Sequence, residues 1–120
     1  MKRILIVDDE EILRMLITDT LEDLGFTIDE AQDGQVALAK MNQHDYDLVI
    51  IDYMMPHLTG LEVLEQLAPE YKEKTPIIML TAKVQDSDRQ MALDRGANYF
   101  VSKPFSPIKL KAFVEELLNV

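Results

Sequence analysis

Cysteine is absent from all 120 residues, which excludes disulfides, thiolate catalysis and cysteine-ligated zinc. Long apolar runs are absent too. The opening, MKRILIVDDEE, begins basic, but its apolar run ends in acids after Val7. That is too short for a signal peptide, and no later stretch is long enough to cross a bilayer. Basic residues are scarce, 12 against 22 acids for a formal net charge of −10, which weighs against binding a nucleic-acid backbone. No repeat, linker or low-complexity segment interrupts the chain. Neither GxGxxG nor GxxxxGK followed by serine or threonine occurs, so the glycine-rich phosphate loops are excluded as well. The expectation that remains is one cytoplasmic domain over residues 1–120, long enough for a single substantial core.

The charge that is present is unevenly placed. Between Asp8 and Asp33 stand ten acids and one base, Arg14. Most of these acids read as a solvated helix face that keeps the chain soluble. The first two, Asp8 and Asp9, follow directly on an apolar run and read differently.

Apolar patterning alternates in type along the chain. Short β-rich runs occur at Ile4–Val7, Thr27–Ala31, Leu48–Ile51, Ile77–Leu80 and Tyr99–Val101. Between them lie stretches of helical spacing, the first carrying a stripe of Leu13, Leu16, Ile17, Leu21 and Leu24. Gly25 and Gly96 stand where helix C-terminal caps belong. Thr59 with Glu62 makes a capping box, and Ser106 followed by Pro107 makes an N-cap with proline at the first helical position. Five strands alternating with five helices predict a doubly wound parallel sheet covered on both faces. Two strands, Ile4–Val7 and Leu48–Ile51, are apolar throughout, as strands buried on both sides must be. In such folds the functional crevice opens at the carboxyl ends of the strands.

The residues that follow each strand carry the chemistry. Asp8 and Asp9 follow the first, Asp52 the third, Thr81 the fourth, and Lys103 stands shortly after the fifth. Right-handed crossovers bring all these ends to one edge of the sheet. Three crowded carboxylates favour proton uptake unless a cation offsets them, and a hard divalent ion suits the set. With no other phosphate-binding device in the chain, the arrangement reads as a receptor for a phosphoryl group on Asp52 itself, an aspartate nucleophile giving an acyl phosphate. The metal would neutralise the transferring oxygens, Lys103 would pair with one as a point charge, and Thr81 would donate a hydrogen bond to another.

The strings IVDDE, VIIDYMMP, LTA and YFVSKPF, in this order over the whole chain, resemble the receiver domain of two-component response regulators. The resemblance implies a flavodoxin-like fold with strand order 2-1-3-4-5, an order that general knowledge of doubly wound folds already assigns to the chemotaxis receiver. It implies Asp52 as phosphoacceptor, Asp8 and Asp9 as the metal-binding acidic pair, and the backbone carbonyl of Met54 as a further ligand to magnesium, with manganese as a substitute. It implies Thr81 and Tyr99 as a switch pair, Lys103 as the phosphate-contacting lysine, and a cis bond between Lys103 and Pro104. A sensor histidine kinase or a histidine phosphotransfer protein would be the donor. A protein target would read the face of the fourth helix, fifth strand and fifth helix, with no direct nucleic-acid or membrane partner.

Other residues carry weaker expectations. Ile12 and Met15 fall off the first helix's core stripe, should be partly exposed, and are docking candidates for the donor. Met54 and Met55 read as loop packing, His57 and His44 as surface residues. Met54 and Lys83, near the mouth of the site, replace residues that position water in fast-hydrolysing members, so slow self-dephosphorylation is expected. The main rival, a phosphatase of the haloacid dehalogenase type, needs a second aspartate two residues after its nucleophile, and Met54 occupies that position. A degenerate receiver serving as a binding module is opposed by the complete acid, acceptor, threonine and lysine set. The chain ends at Val120, immediately after the last helix and with no linker or basic domain, so a stand-alone receiver is expected, with the receiver half of a longer regulator as the alternative.

Overall fold

The computed structural model describes residues 2–82 and 86–119. Its strands are β1 (Arg3–Val7), β2 (Thr27–Ala31), β3 (Leu48–Asp52), β4 (Ile77–Thr81) and β5 (Tyr99–Ser102). They form one parallel sheet in the order β2-β1-β3-β4-β5. Every residue of β3 and β4 is buried, because both strands are central and both faces of the sheet are covered. The helices are α1 (Glu11–Glu22), α2 (Gly34–Gln43), α3 (Gly60–Gln66), α4 (Pro69–Lys74), α5 (Asp86–Asp94) and α6 (Pro107–Leu118).

Six helices among the described residues correct the expectation of five. The segment between β3 and β4 divides in two. Ala68 is extended before Pro69, since a residue preceding proline avoids the helical region and proline itself offers no N–H to continue a helix. Proline then opens α4 at its first position. With this extra helix, the face expected from the fourth helix, fifth strand and fifth helix is α5–β5–α6.

The strand period of two sorts the core into two halves. Ile4, Ile6, Leu48, Ile50, Ile78 and Leu80 face α1 and α6, meeting Ile17, Leu21, Leu110 and Val114. Leu5, Val7, Val49, Ile51, Ile77 and Met79 face the other way, toward Ala37 and Met41 of α2, Val63 and Leu64 of α3 and Ala92 of α5. Of the stripe on α1, Ile17 and Leu21 are buried, while Leu16 is 44% exposed. It lies on the flank of the helix, where it lines a shallow groove with Leu13, Pro104 and Phe105. Helix ends follow the sequence. Gly25 and Gly96 take positive φ, Thr59 and Glu62 exchange both capping-box hydrogen bonds, and the Ser106 hydroxyl accepts from the Lys109 N–H.

Candidate functional site

The same alternation that builds the core aims the functional side chains. Asp8 continues the row of Ile4 and Ile6, Asp52 that of Leu48 and Ile50, and Lys103 that of Val101, all on the face covered by α1 and α6. Parallel register places Val7 beside Ile51 and Asp52 beside Leu80, so the strand ends are level and their polar residues meet. Lys103 Nζ lies 3.1 Å from Asp8 Oδ2 and 3.1 Å from Asp52 Oδ1. Carboxylate oxygens of Asp8, Asp9 and Asp52 all lie within 4.8 Å of one another. The bond between Lys103 and Pro104 is cis.

Burial sets the electrostatics. Asp8 is fully buried and Asp52 is 4% exposed, whereas Asp9 is exposed. Desolvation, then the charge of Asp8, pushes the Asp52 carboxyl up to about 6, against the opposing pull of Lys103. Asp8 is raised as well, chiefly by burial, with the Glu10 N–H bond and Lys103 working the other way. Burial alone would lower Lys103, but the charges of Asp52 and Asp8 outweigh it and its pKa is raised. One ammonium therefore undercompensates three carboxylates. A cluster of hard oxygen donors with excess negative charge fits a divalent cation such as magnesium.

Asp8 does not cap α1 through its side chain in the usual way. The N-cap residue is Glu10, without a side-chain cap bond, and Asp8 Oδ1 instead accepts from the Glu10 N–H at 2.9 Å. The chain leaves β3 through a turn in which the Leu58 N–H donates to the Pro56 carbonyl at 2.8 Å around His57, whose φ is 71°. That three-residue turn is rare because it strains a side-chain-bearing residue. Met55 packs into the core, but Met54 is 65% exposed, so packing accounts for only one of the two methionines. His57 and His44 are exposed, and so are Ile12 and Met15. Lys83 lies outside the described residues.

Thr81 ends β4 and is buried. Tyr99, expected beside it, is not on its side of the sheet. Tyr99 pairs in register with Ile78 and stacks edge-on against Phe113 of α6 at 5.1 Å, on the α1–α6 face. Thr81 continues the row of Ile77 and Met79 on the opposite face. The aromatic of that face is Phe100, in register with Met79 and packed against the second half of the core. The Arg89 guanidinium of α5 sits 5.6 Å from its ring centroid. What finds Phe100 is register together with parity: Thr81 pairs with Ser102, and within β5 a residue an even number of positions from Ser102 shares its face while one at an odd number does not.

Residues 4–115 match the response regulator receiver domain family. The chain is 42% identical over 118 residues to the alkaline phosphatase synthesis transcriptional regulatory protein PhoP of Bacillus subtilis (strain 168), covering 98% of this chain and 49% of that protein. It is 42% identical over 117 residues to the transcriptional regulatory protein ResD of the same organism, covering 98% and 48%. This chain thus spans about half the length of these curated relatives. Among solved structures, the Vibrio cholerae chemotaxis protein CheY4 superposes with a TM-score of 0.89 at 34% identity, over 98% of each chain. No helix among the described residues is long and apolar enough to cross a membrane.

Proposed function

The chain belongs to the response regulator receiver domain family, and from that premise we propose that it is a phosphorylation switch whose acceptor is Asp52. The observation that carries this reading is the position of Lys103 Nζ, 3.1 Å from both Asp8 and Asp52. An ammonium there pairs the acids and would be within reach of an oxygen of a phosphoryl group on Asp52, which supports the reading. A carboxylate oxygen of Asp52 attacks the phosphorus of a phosphohistidine. The P–O bond of an acyl phosphate forms as the N–P bond breaks, its electron pair staying on the departing imidazole nitrogen. Lys103 holds one phosphoryl oxygen, and the Thr81 hydroxyl donates to another. Asp8, Asp9, Asp52 and the Met54 carbonyl would hold magnesium, or manganese in its place, which when bound offsets charge on the transferring oxygens. The protein acts on itself and is a signalling phosphoprotein, not an enzyme with a turning-over substrate.

The donor would be a sensor histidine kinase or a histidine phosphotransfer protein, docking over Ile12 and Met15, and the compartment the cytoplasm. A second reading, favoured by the half-length coverage of the transcriptional regulators above, is that the chain is the receiver half of a longer regulator. Incubation with a small acyl-phosphate donor and magnesium tests the common core of both. Intact mass should show one phosphoryl adduct, labile to hydroxylamine and mapped to the peptide containing Asp52. An unmodified protein under these conditions leaves the chain a constitutive binding module.

The output follows from the shared face of Thr81 and Phe100. Drawing the Thr81 hydroxyl toward a phosphoryl group opens space on that face, which the Phe100 ring can enter, disturbing its contact with Arg89 and so α5. The α5–β5–α6 surface is then what a protein partner reads. Phosphorylation should alter amide hydrogen exchange over α5 and β5. Phe100→Ala should suppress that change and Tyr99→Ala should leave it; the reverse pattern would return the switch role to Tyr99.

A further inference from the structure

Arg14 is the one base within the acidic stretch from Asp8 to Asp33, and neither the acceptor chemistry nor the switch makes use of it. Its side chain is only 13% exposed, unusual for an arginine on an outer helix. Both ends of its guanidinium are engaged. Nη1 donates to the backbone carbonyl of Asp8 at 2.6 Å, and Nε donates to Glu30 Oε1 at 3.2 Å. Glu30 lies on β2, next to Ala31, whose carbonyl accepts the Asp8 N–H at 3.1 Å. Asp8 is therefore held at its N–H by β2, at its carbonyl by Arg14, and at its side chain by Glu10 and Lys103.

The carbonyl contact has the widest consequence. The Asp8 oxygen and the Asp9 nitrogen lie in one rigid peptide plane. A net change of ψ at Asp8 turns that plane relative to the rest of Asp8, and with it the direction in which the Asp9 side chain leaves the backbone. Asp8 is fixed independently by burial and by Lys103. Asp9 is exposed, so its aim depends on the plane. We propose that Arg14 is a positioning residue: by clamping the Asp8 carbonyl to Glu30 of β2, it sets the peptide plane from which Asp9 presents its carboxylate, beside that of Asp8, to a divalent cation. The proposal rests on reading those two acids as cation ligands.

Charge and positioning predict opposite signs, which makes the role measurable. A guanidinium beside a dication site repels the dication, so a purely electrostatic Arg14 weakens metal binding and its removal tightens it. A positioning Arg14 does the reverse. Mg2+ should be titrated calorimetrically into the wild-type chain, Arg14→Ala and Arg14→Lys, with urea unfolding of each in EDTA alongside. Lysine keeps the charge and loses the two-pronged clamp. Both variants are expected to bind Mg2+ about tenfold or more weakly, the usual cost of losing a group that orients a ligand. Where Arg14→Ala does not fold, Arg14→Lys and Glu30→Gln carry the measurement, the latter with a smaller loss in the same direction. Tighter binding by Arg14→Ala, or wild-type affinity in the variants with only the unfolding midpoint lowered, overturns the positioning role. Wild-type protein that binds no Mg2+ is a different failure, removing the cation-site reading itself and this inference with it.

Discussion

Asp52→Asn should lose the phosphoryl adduct completely and, in the absence of metal, unfold at a higher temperature than the wild type. The first effect follows from chemistry: an amide is not a nucleophile toward phosphorus under conditions in which a carboxylate is. The second follows from the site's electrostatics. Asp52 is buried beside Asp8, its carboxyl pushed up to about 6 from an ordinary 3.8. A folded-state pKa above the unfolded value means that the folded state binds the proton more tightly. The associated stability is fully present below pH 3.8 and is lost as pH rises through about 6. At pH 7 the metal-free wild type therefore carries an ionised, poorly compensated carboxylate that asparagine replaces with a neutral group of the same shape. At about 1.4 kcal/mol per pKa unit, with part of the effect shared with Asp8, the gain is about 1–3 kcal/mol. For a chain of this size that is several degrees in Tm.

Two further measurements separate this cause from a generic stabilisation. Between pH 4 and pH 7 in EDTA, wild-type stability should fall with rising pH more steeply than that of Asp52→Asn. Saturating Mg2+ should raise the wild-type Tm at pH 7, as any ligand of the folded state does, and raise that of the variant less. An adduct that survives in Asp52→Asn, or a variant less stable than wild type in EDTA, contradicts the assignment of Asp52 as the strained acceptor.

How far the sequence carries such an argument depends on the kind of signal each residue gives. Asp8 and Asp52 are legible because each follows directly on an apolar run, and a carboxylate at the end of a buried central strand is costly unless it is paired. Lys103 is legible because it stands between the end of β5 and Pro104. Tyr99 and Phe100 differ in this respect. The edge strand YFVS offers apolar side chains to both faces, so alternation does not tell which aromatic belongs to the Thr81 side, and a shift of one residue flips the face. Only the register with β4 settles it. Met54 and Met55 lie in a turn with no period at all, and their burial depends on where the loop folds back. The division of α3 from α4 was written in the Ala68–Pro69 pair, outweighed by the continuous helical spacing around it. The clamp of Arg14 joins residues 6 and 16 positions apart, and spacing within one element gives no hint of a bond to a neighbouring strand.

Gly60→Ala is the substitution expected to do the most damage for the fewest atoms. Gly60 is the first residue of α3, buried, with its N–H donating to the Tyr53 carbonyl at 2.8 Å. A methyl group there would fall 2.5 Å from the Asp52 carbonyl oxygen, and 3.2 Å from both the Asp52 carbonyl carbon and Tyr53 Cα. These are backbone atoms, and none can yield without moving Asp52. Glycine to alanine within a helix ordinarily gains up to about 1 kcal/mol; here overpacking should reverse the sign and cost about 1–3 kcal/mol. Because the relief available is a displacement of Asp52, phosphoryl uptake should slow about 10- to 100-fold, the scale on which a misplaced reacting group loses rate. Gly25→Ala supplies the comparison. Gly25 has φ of +80° with nothing within 4 Å of the added methyl, so it should lose about 1 kcal/mol through backbone strain while phosphorylating at the wild-type rate. If the two variants lose stability and uptake in the same proportion, the close approach of α3 to β3 does not position the acceptor. If only Gly60→Ala loses uptake beyond its loss of stability, the first turn of α3 is the wedge that holds Asp52 in place.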